Sequence, residues 1–123
     1  MQLKRIKMTT EASNLLRSFQ GRTGLTPNII CRIGFCLSLR DAIIPDPNEY
    51  QEDDREFNLT TLLGDHADLY IALLRQWCSS TLPSGYVIED YFRAHMNRGV
   101  ILIGPSARNG IEGIVSLCNR DAA

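Results

Sequence analysis

The sequence has few of the residues from which catalytic and metal centres are usually built. It contains two histidines, four cysteines and one tryptophan in 123 residues. The cysteines form no Cys-x-x-Cys pair and no cysteine–histidine cluster at the spacing of a zinc site. Cys31 and Cys36 lie inside an apolar run, where reduced thiols pack as small hydrophobic groups, so we expect buried free thiols.

Nucleotide-binding loops are also missing, since neither G-x-x-x-x-G-K-[ST] nor G-x-G-x-x-G occurs. The acidic residues Glu52, Asp53, Asp54 and Glu56 lack the spacing and the glycine of a calcium loop, which favours a solvated acidic segment over a metal site. His66 beside Asp65 is typical of a helix start or a surface position. We therefore expect no catalytic residues, no metal and no cofactor.

Long hydrophobic runs are absent too, and nothing approaches the roughly 20 apolar residues that span a bilayer. The basic N-terminus, residues 1–5, is not followed by an apolar stretch of signal-peptide length. We therefore expect a cytoplasmic protein with no membrane partner. The length predicts one domain, residues 1–123, with a basic strand-helix-helix at 3–39, an acidic connection at 40–55 and a helical remainder at 56–123.

Charge is distributed unevenly along the chain. Residues 1–40 carry seven basic side chains against one acidic, a net charge of +6, whereas residues 41–66 carry eight acids against one base, a net charge of −7. A basic N-terminal third is the electrostatic signature of a phosphate-binding surface. The alternative is a solvated basic face that binds nothing.

The N-terminal third predicts a strand and two helices. Lys4 to Met8 alternates polar and apolar residues, which indicates a short strand. Thr9 or Thr10 then caps a helix that is broken by Gly21-Arg22-Thr23-Gly24, and its apolar face is formed by Ala12, Leu15, Leu16 and Phe19. Thr26 and Pro27 open a second helix that extends to Leu39.

The second helix is apolar around almost its whole circumference, so it must be buried on more than one side. A symmetric partner is one way to supply the second side. Glycine in a helix interior costs about 1 kcal/mol relative to alanine, and Gly34 therefore indicates a close approach of two backbones or a kink. We expect a subunit interface at Ile29, Ile30, Ile33, Gly34 and Leu37.

The rest of the chain predicts further helices with short extended segments. A weak alternation of Phe57, Leu59 and Thr61 indicates a short strand or an extended entry to the next helix. Residues 66–77 and 87–99 have helical spacing, with Gly99 as the C-cap. His95 falls on the apolar face of the second of these helices, so we expect a hydrogen-bonded, partly buried histidine. Residues 100–103 are read as a strand or buried extended chain, and residues 111–118 as a weak helix.

A basic strand followed by two helices is the order of a ribbon-helix-helix unit, in which strands of two subunits pair across a dimer axis. β-Ribbon readers insert such strands in a DNA groove. Arg5 and Lys7 would then face DNA, and the free N–H groups near Thr26 and Asn28 would suit a backbone phosphate. An ordinary pair of packed helices with a strand lid is the alternative.

Three segments resemble the DndE family of bacterial DNA sulfur modification proteins. They are Arg22-Thr23-Gly24-Leu25-Thr26-Pro27-Asn28-Ile29-Ile30-Cys31-Arg32, then Glu56-Phe57-Asn58-Leu59-Thr60-Thr61-Leu62-Leu63-Gly64, then His95-Met96-Asn97-Arg98-Gly99-Val100. The resemblance extends from about Leu3 to Ile103. It implies a ribbon-helix-helix-like fold, mainly α with a short N-terminal strand, assembled as a tetramer.

The resemblance also implies a role in phosphorothioation, in which sulfur replaces a non-bridging phosphate oxygen of DNA. Other subunits of that machinery would supply sulfur transfer and ATP-driven work, while this one binds DNA, particularly nicked duplex. Basic residues of the first helix are associated with that binding, and Arg17 is the only such residue between Thr10 and Gln20.

We therefore expect a non-catalytic, oligomeric DNA-binding accessory subunit that contacts the phosphate backbone. The expected DNA-binding residues are Lys4, Arg5, Lys7, Arg17, Arg22, Thr26, Asn28 and Arg32. Arg32 is also a candidate for a bridge between subunits. Two rival functions are a ribbon-helix-helix repressor that reads base edges through Arg5 and Lys7, and a DNA-nicking enzyme.

Overall fold

A computed structural model describes residues 4–51 and 54–119. There are two short strands: β1 (Arg5–Lys7) precedes the first helix, and β2 (Glu56–Asn58) lies between the second and third helices. The helices are α1 (Thr10–Thr23), α2 (Pro27–Arg40), α3 (Leu59–Leu63), α4 (Ala67–Thr81), α5 (Ile88–Ile103) and α6 (Gly110–Asn119). Single 3-10 turns occupy Pro47–Tyr50, Gly64–His66 and Ser106–Asn109. The prediction of a mainly helical chain with a short N-terminal strand is confirmed.

The N-terminal strand pairs with a strand of its own chain. β1 and β2 are antiparallel, with Ile6 opposite Phe57 and Lys7 opposite Glu56. The alternation predicted for this segment is present, because Ile6 and Phe57 are buried while their neighbours along each strand are exposed. The sequence-based expectation that this strand pairs with a second subunit is not confirmed, since its hydrogen-bonded neighbour is β2.

Both N-terminal helices begin where the sequence predicts. The Thr9 hydroxyl accepts a hydrogen bond from the Ala12 N–H at 3.1 Å and caps α1. Thr26 precedes α2, and Pro27 occupies the first turn, where no N–H donor is needed. Within the predicted break at 21–24, the helix continues to Thr23 and stops at Gly24, whose φ of 76° is left-handed.

The core lies where α5 packs along α2. Residues 94–100 of α5 are all buried, because α1, α2, α4 and the turn at Pro47–Tyr50 pack against this helix. Asn97 links these elements: its Oδ1 accepts from the Thr9 N–H at 2.8 Å, and its Nδ2 donates to the Arg93 carbonyl at 2.9 Å.

The sequence interpretation of the 99–103 region is wrong. Gly99 is not a C-cap, and residues 100–103 are neither strand nor extended chain, because α5 continues without a break to Ile103. Gly99 instead lies against Gly34 of α2. The absence of a side chain at both positions allows the two helix backbones to approach closely, which is why a glycine is found inside each helix.

The acidic connection between α2 and β2 is more ordered than its composition predicts. Asp46 caps the 3-10 turn at Pro47–Tyr50 by accepting from the Asn48 N–H at 3.0 Å. Arg93 of α5 donates to the carbonyls of Tyr50, at 2.8 Å, and Pro47, at 3.3 Å. The connection is therefore fastened to α5. Two of the predicted acidic-cluster residues, Glu52 and Asp53, lie outside the described residues.

Candidate nucleic-acid interface

Five of the cationic side chains predicted to meet DNA are exposed. Lys4, Arg5 and Lys7 lie on or beside β1, and Arg17 and Arg22 lie on α1. Arg5 approaches Glu56 of the neighbouring strand at 3.9 Å, with both side chains largely in solvent. Such a pair contributes little to stability, so the Arg5 side chain can turn to another anion at small cost.

Arg17 is held lightly on the outer face of α1. Its guanidinium donates to the Asn14 side chain at 2.7 Å, one helical turn earlier. Asn14 carries no charge, and both side chains are exposed. Arg17 is therefore exposed on α1, and its contact with a phosphate backbone stays a prediction.

Arg32 has an internal role. Its Nε donates to the Leu62 carbonyl at 2.7 Å, and a terminal nitrogen donates to the Thr61 carbonyl at 3.4 Å. The Asn28 amide donates to the same Thr61 oxygen at 3.4 Å. Arg32 and Asn28 thus fasten the short helix α3 to α2, and this packing is the structural basis for a basic residue at position 32.

The first turn of α2 has no side-chain cap, because the Thr26 hydroxyl hydrogen-bonds to the Asn28 side chain instead of the helix backbone. Its N-terminal N–H groups are therefore not used by Thr26. The predicted phosphate position at Thr26 and Asn28 is compatible with this geometry. Phosphate binding at this position stays a prediction, which a measurement of DNA binding would test.

The predicted interface residues divide into two groups. Ile30 and Gly34 are buried and Leu37 is 8% exposed, so their side chains pack inside the chain. For Gly34 the close approach predicted from the sequence is made with Gly99 of the same chain. Ile29 and Ile33 are only half-buried.

Ile29 and Ile33 line an open groove of about 540 Å³ on the outer side of α2. Its other walls include Tyr70 of α4 and the thiols Cys36 and Cys118. Of the apolar surface that the sequence assigned to a subunit contact, only the part at Ile29 and Ile33 is accessible on the outer side of α2. The subunit contact itself stays a prediction.

The cysteines are partly misassigned by the sequence. Cys31 and Cys78 are buried, as expected for free thiols in a core, but Cys36 is exposed, as is Cys118. Burial raises the pKa of Cys31 to about 12, which makes that thiol unreactive at neutral pH. Cys36 lies on the outer face of α2, a position that apolar composition alone does not distinguish from the inner face.

A buried polar cluster joins Ser38, His95 and Arg98. The Ser38 Oγ and the His95 Nδ1 are 2.7 Å apart, and the Arg98 Nε donates to the same Oγ at 2.8 Å. Arg98 also donates to the carbonyls of Ser38 and Ile43. The sequence predicted a hydrogen-bonded histidine but not its complete burial or its serine partner.

A serine beside a histidine is also the arrangement of an activated nucleophile, but here both side chains are sealed from solvent. Burial, and secondarily the charge of Arg98, lowers the pKa of His95 from its ordinary 6.5 to about 3. The imidazole is therefore neutral, and Trp77 packs edge-on against it with ring centroids 4.2 Å apart. In this structure the cluster links α2 to α5.

Within residues 4–51 and 54–119, no group of three or more histidine, cysteine or acidic side chains is arranged to hold a metal ion. None of the helices in that part of the chain is long and apolar enough to cross a membrane.

Arg108 was missed by the sequence analysis. It lies in the 3-10 turn between α5 and α6, far from the basic N-terminal third in sequence, yet it lines a cleft together with Arg22 of α1. Only the tertiary packing of this turn on α1 reveals the pairing, because nothing in the local sequence around Arg108 marks it.

The fold and these surfaces define a small, mainly helical protein with a two-stranded antiparallel ribbon and exposed cations on its first strand and helix. The family model "DNA sulphur modification protein DndE" matches residues 5–109. The chain belongs to the DndE family.

Solved structures support this fold. The crystal structure of DndE from Escherichia coli B7A, involved in DNA phosphorothioation modification, is similar with a TM-score of 0.65 and 22% identity, over 84% of this chain and 98% of that one. The crystal structure of a DndE mutant with two glycines replaced by lysine has a TM-score of 0.59 and 20% identity, over 82% and 99% of the two chains. No curated protein sequence matches.

Proposed function

We propose that this protein is a DNA-binding accessory subunit of the DNA phosphorothioation machinery, without catalysis of its own. The observation that carries the proposal is the family match over residues 5–109. The partners are double-stranded DNA, with a preference for nicked duplex, and the other subunits of the sulfur modification complex. Its place of action is the cytoplasm, where that DNA is found.

The exposed cations support contact with the phosphate backbone. Lys4, Arg5 and Lys7 follow one short strand, and Arg17 and Arg22 follow one helix, so positive charge is presented by two neighbouring elements. Contacts of this kind fix a protein on duplex DNA and carry little sequence information. We therefore expect sequence-tolerant binding, in contrast to the base-edge readout of a repressor.

The protein acts as a homo-oligomer, in our proposal a tetramer, in which the outer face of α2 at Ile29 and Ile33 contributes to the subunit contact. Repetition of the basic strand and helix around a symmetric assembly multiplies the phosphate contacts available to one DNA molecule.

The test of DNA binding is a gel-shift comparison of intact, nicked and single-stranded DNA of one sequence, repeated over a range of salt concentrations. Each phosphate contact contributes about 0.9 to the slope of log affinity against log salt. We expect nicked duplex to bind best and the slope to indicate several contacts. A flat salt dependence would contradict backbone binding.

Arg17→Glu is the diagnostic variant, and Arg75→Glu is its matched control. Arg75 is exposed on α4, an element that carries none of the predicted DNA-binding residues, and the two substitutions change the net charge equally. Arg17→Glu is expected to weaken binding to all sequences alike, while Arg75→Glu has little effect. Equal losses from both variants would show that only total charge matters.

The cellular role and the absence of catalysis need separate measurements. Complementation of a strain that lacks its own copy is expected to restore phosphorothioate linkages, measured by mass spectrometry of digested DNA. Incubation of supercoiled plasmid with the purified protein and magnesium is expected to leave it supercoiled. Relaxation that a single point mutation abolishes would favour a nicking enzyme instead.

A further inference from the structure

A cleft of about 380 Å³ lies between α1 and the turn that joins α5 to α6. Its volume falls within the range of about 300–1,000 Å³ typical of ligand pockets. Leu15, Phe19 and Pro105 form part of an apolar wall, and Arg22 and Arg108 supply the positive charge. It is distinct from the groove on the outer side of α2, with which it shares no lining residue.

The two arginines are brought together by packing of the turn on the end of α1. A Cβ atom at Gly110 would lie 3.4 Å from the Arg22 carbonyl oxygen, so the chain just after Arg108 lies directly against the last turn of α1. Gly110 has a φ of 67°, a left-handed conformation that turns the chain into α6 at this point. This geometry places Arg108 on the same cleft as Arg22.

Both guanidinium groups are available to a ligand. Arg22 and Arg108 are exposed, and neither makes a hydrogen bond or ion pair with any of the residues that the structure describes. Other arginines of the chain donate to backbone carbonyls within the fold, and these are Arg32, Arg40, Arg93 and Arg98. Arg22 and Arg108 are thus free donors that share one cleft.

The cleft follows α1 from Glu11 in its first turn to Arg22 in its last turn, so Arg22 lies at the carboxyl end of the helix. The free carbonyls of a helix end carry partial negative charge, which repels an anion. Glu11 also lines the cleft, but it lies eleven residues earlier, roughly 16 Å along the helix axis. We therefore expect an anion to need both arginines, and removal of either to abolish its binding.

We propose that this cleft binds one phosphate group of a DNA strand, clamped between Arg22 and Arg108, with the adjoining sugar against the apolar wall. The proposal rests on the proposed DNA-binding function and extends it to a defined site and to Arg108. Planar guanidinium groups form paired hydrogen bonds with phosphate oxygens, a geometry that a lysine ammonium cannot reproduce. The Ser18 hydroxyl, also in the lining, offers a further donor.

The experiment compares Arg22→Gln, Arg108→Gln and the double variant with Arg75→Gln, which removes the same charge from α4, outside the cleft. DNA affinity is measured against salt concentration. We expect each cleft variant to lower the log-log slope by about 0.9, the loss of one phosphate contact. The double variant is expected to lose no more slope than either single variant, because both arginines hold one phosphate. Arg75→Gln is expected to keep the wild-type slope.

The source of the phosphate is distinguished by duplexes with and without terminal phosphates. Loss of binding on removal of the terminal phosphates assigns the cleft to a strand end, whereas unchanged binding assigns it to an internal backbone phosphate. If the Arg108→Lys variant binds DNA with nearly the wild-type affinity, the paired hydrogen bonds are contradicted. Additive slope losses in the double variant would overturn the clamp, since two phosphates would then be involved.

An independent readout separates failure of the cleft from failure of DNA binding. Inorganic phosphate is titrated into wild-type protein while the arginine Nε resonances are followed by NMR, with chloride at equal ionic strength as control. If the wild-type protein binds DNA and both cleft variants match it, the cleft proposal is wrong and the DNA function stands. If the Arg22 and Arg108 resonances respond to phosphate but the protein does not bind DNA, the cleft is an anion site and its assignment to DNA is wrong.

Discussion

Gly34 and Gly99 bring α2 and α5 into backbone contact. A Cβ atom at Gly34 would lie 2.6 Å from the Gly99 carbonyl carbon, and one at Gly99 would lie 2.2 Å from the carbonyl carbon and oxygen of Gly34. Real Cβ atoms are not found so close to backbone atoms, so either side chain would force the helices apart. This contact fixes the spacing of the two helices around which the core is built.

Gly34→Ala and Gly99→Ala are each expected to destabilise the protein. Overpacking of a close helix contact costs typically about 1–3 kcal/mol, and it outweighs the gain of about 1 kcal/mol from better helix propensity. Gly21→Ala is the control, because Gly21 is in α1 with open space around its Cα. Urea denaturation should show a lower midpoint for the first two variants and an equal or higher midpoint for the third.

Local patterns predicted the N-terminal elements well, because their determinants are close in sequence. Thr9 caps α1 by accepting a hydrogen bond from a residue three positions later, and α2 begins at Pro27, directly after Thr26. Gly99 was misread because the reason for a glycine there lies 65 residues away, at Gly34. A glycine near an expected helix end resembles a C-cap whenever its packing partner is unknown.

In the candidate site, too, the features with local determinants were predictable and those that depend on distant segments were not. Basic residues in an amphipathic strand and helix, such as Arg5 and Arg17, were correctly expected at the surface, because helix and strand periodicity define their outward faces. Arg32 and Arg108 could not be assigned this way. Their environments are set by α3 and by the turn after α5, segments whose position on α1 and α2 depends on tertiary packing.

The neutral His95 predicts a pH dependence of stability. Its pKa is about 3 in the folded protein and 6.5 ordinarily, so between these values the unfolded chain binds more protons. The contribution of His95 to the free energy of unfolding is therefore fully present above about pH 6.5. It falls as the pH drops, by up to about 1.4 kcal/mol per pH unit. Denaturation midpoints measured from pH 6.5 to 5 report this slope with the least contribution from carboxyl groups.

His95→Gln tests the origin of that slope, and His66→Gln serves as the control, because His66 is exposed. The first substitution is expected to lower stability at pH 7 and to flatten the slope between pH 6.5 and 5. The second is expected to leave both unchanged. An undiminished slope in the His95 variant would show that other groups cause it.

Arg32→Ala is expected to destabilise the protein even without DNA. It removes the donors to the Leu62 and Thr61 carbonyls, and hydrogen bonds from charged groups contribute roughly 1.5–3 kcal/mol. Arg17→Ala removes only an exposed contact with Asn14 and should change the free energy of unfolding by less than about 0.5 kcal/mol. A thermal melt of the two variants separates packing from DNA contact. Equal melting temperatures would contradict the structural role of Arg32.

Two of the four thiols are expected to react in the folded protein. Cys36 and Cys118 are exposed, whereas Cys31 and Cys78 are buried. Titration with a thiol reagent should give a fast phase of two groups, and the remaining two should react only after denaturant is added. Cys36→Ser and Cys118→Ser should each remove one group from the fast phase. Although Cys36 is exposed, its surroundings partly shield the sulfur from water and raise its pKa, so its labelling is expected to accelerate with rising pH.

Ile33→Asp separates subunit association from folding. Ile33 is half-buried and lines the open groove on the outer side of α2, so a carboxylate there can stay hydrated in a monomer but would be desolvated in a subunit contact. We expect a folded protein of lower mass by light scattering, with weaker DNA binding because fewer basic surfaces are joined. Gly34→Arg, in contrast, is expected to disrupt folding itself through its contact with Gly99. A folded Ile33→Asp protein of unchanged mass would place the subunit contact on another surface.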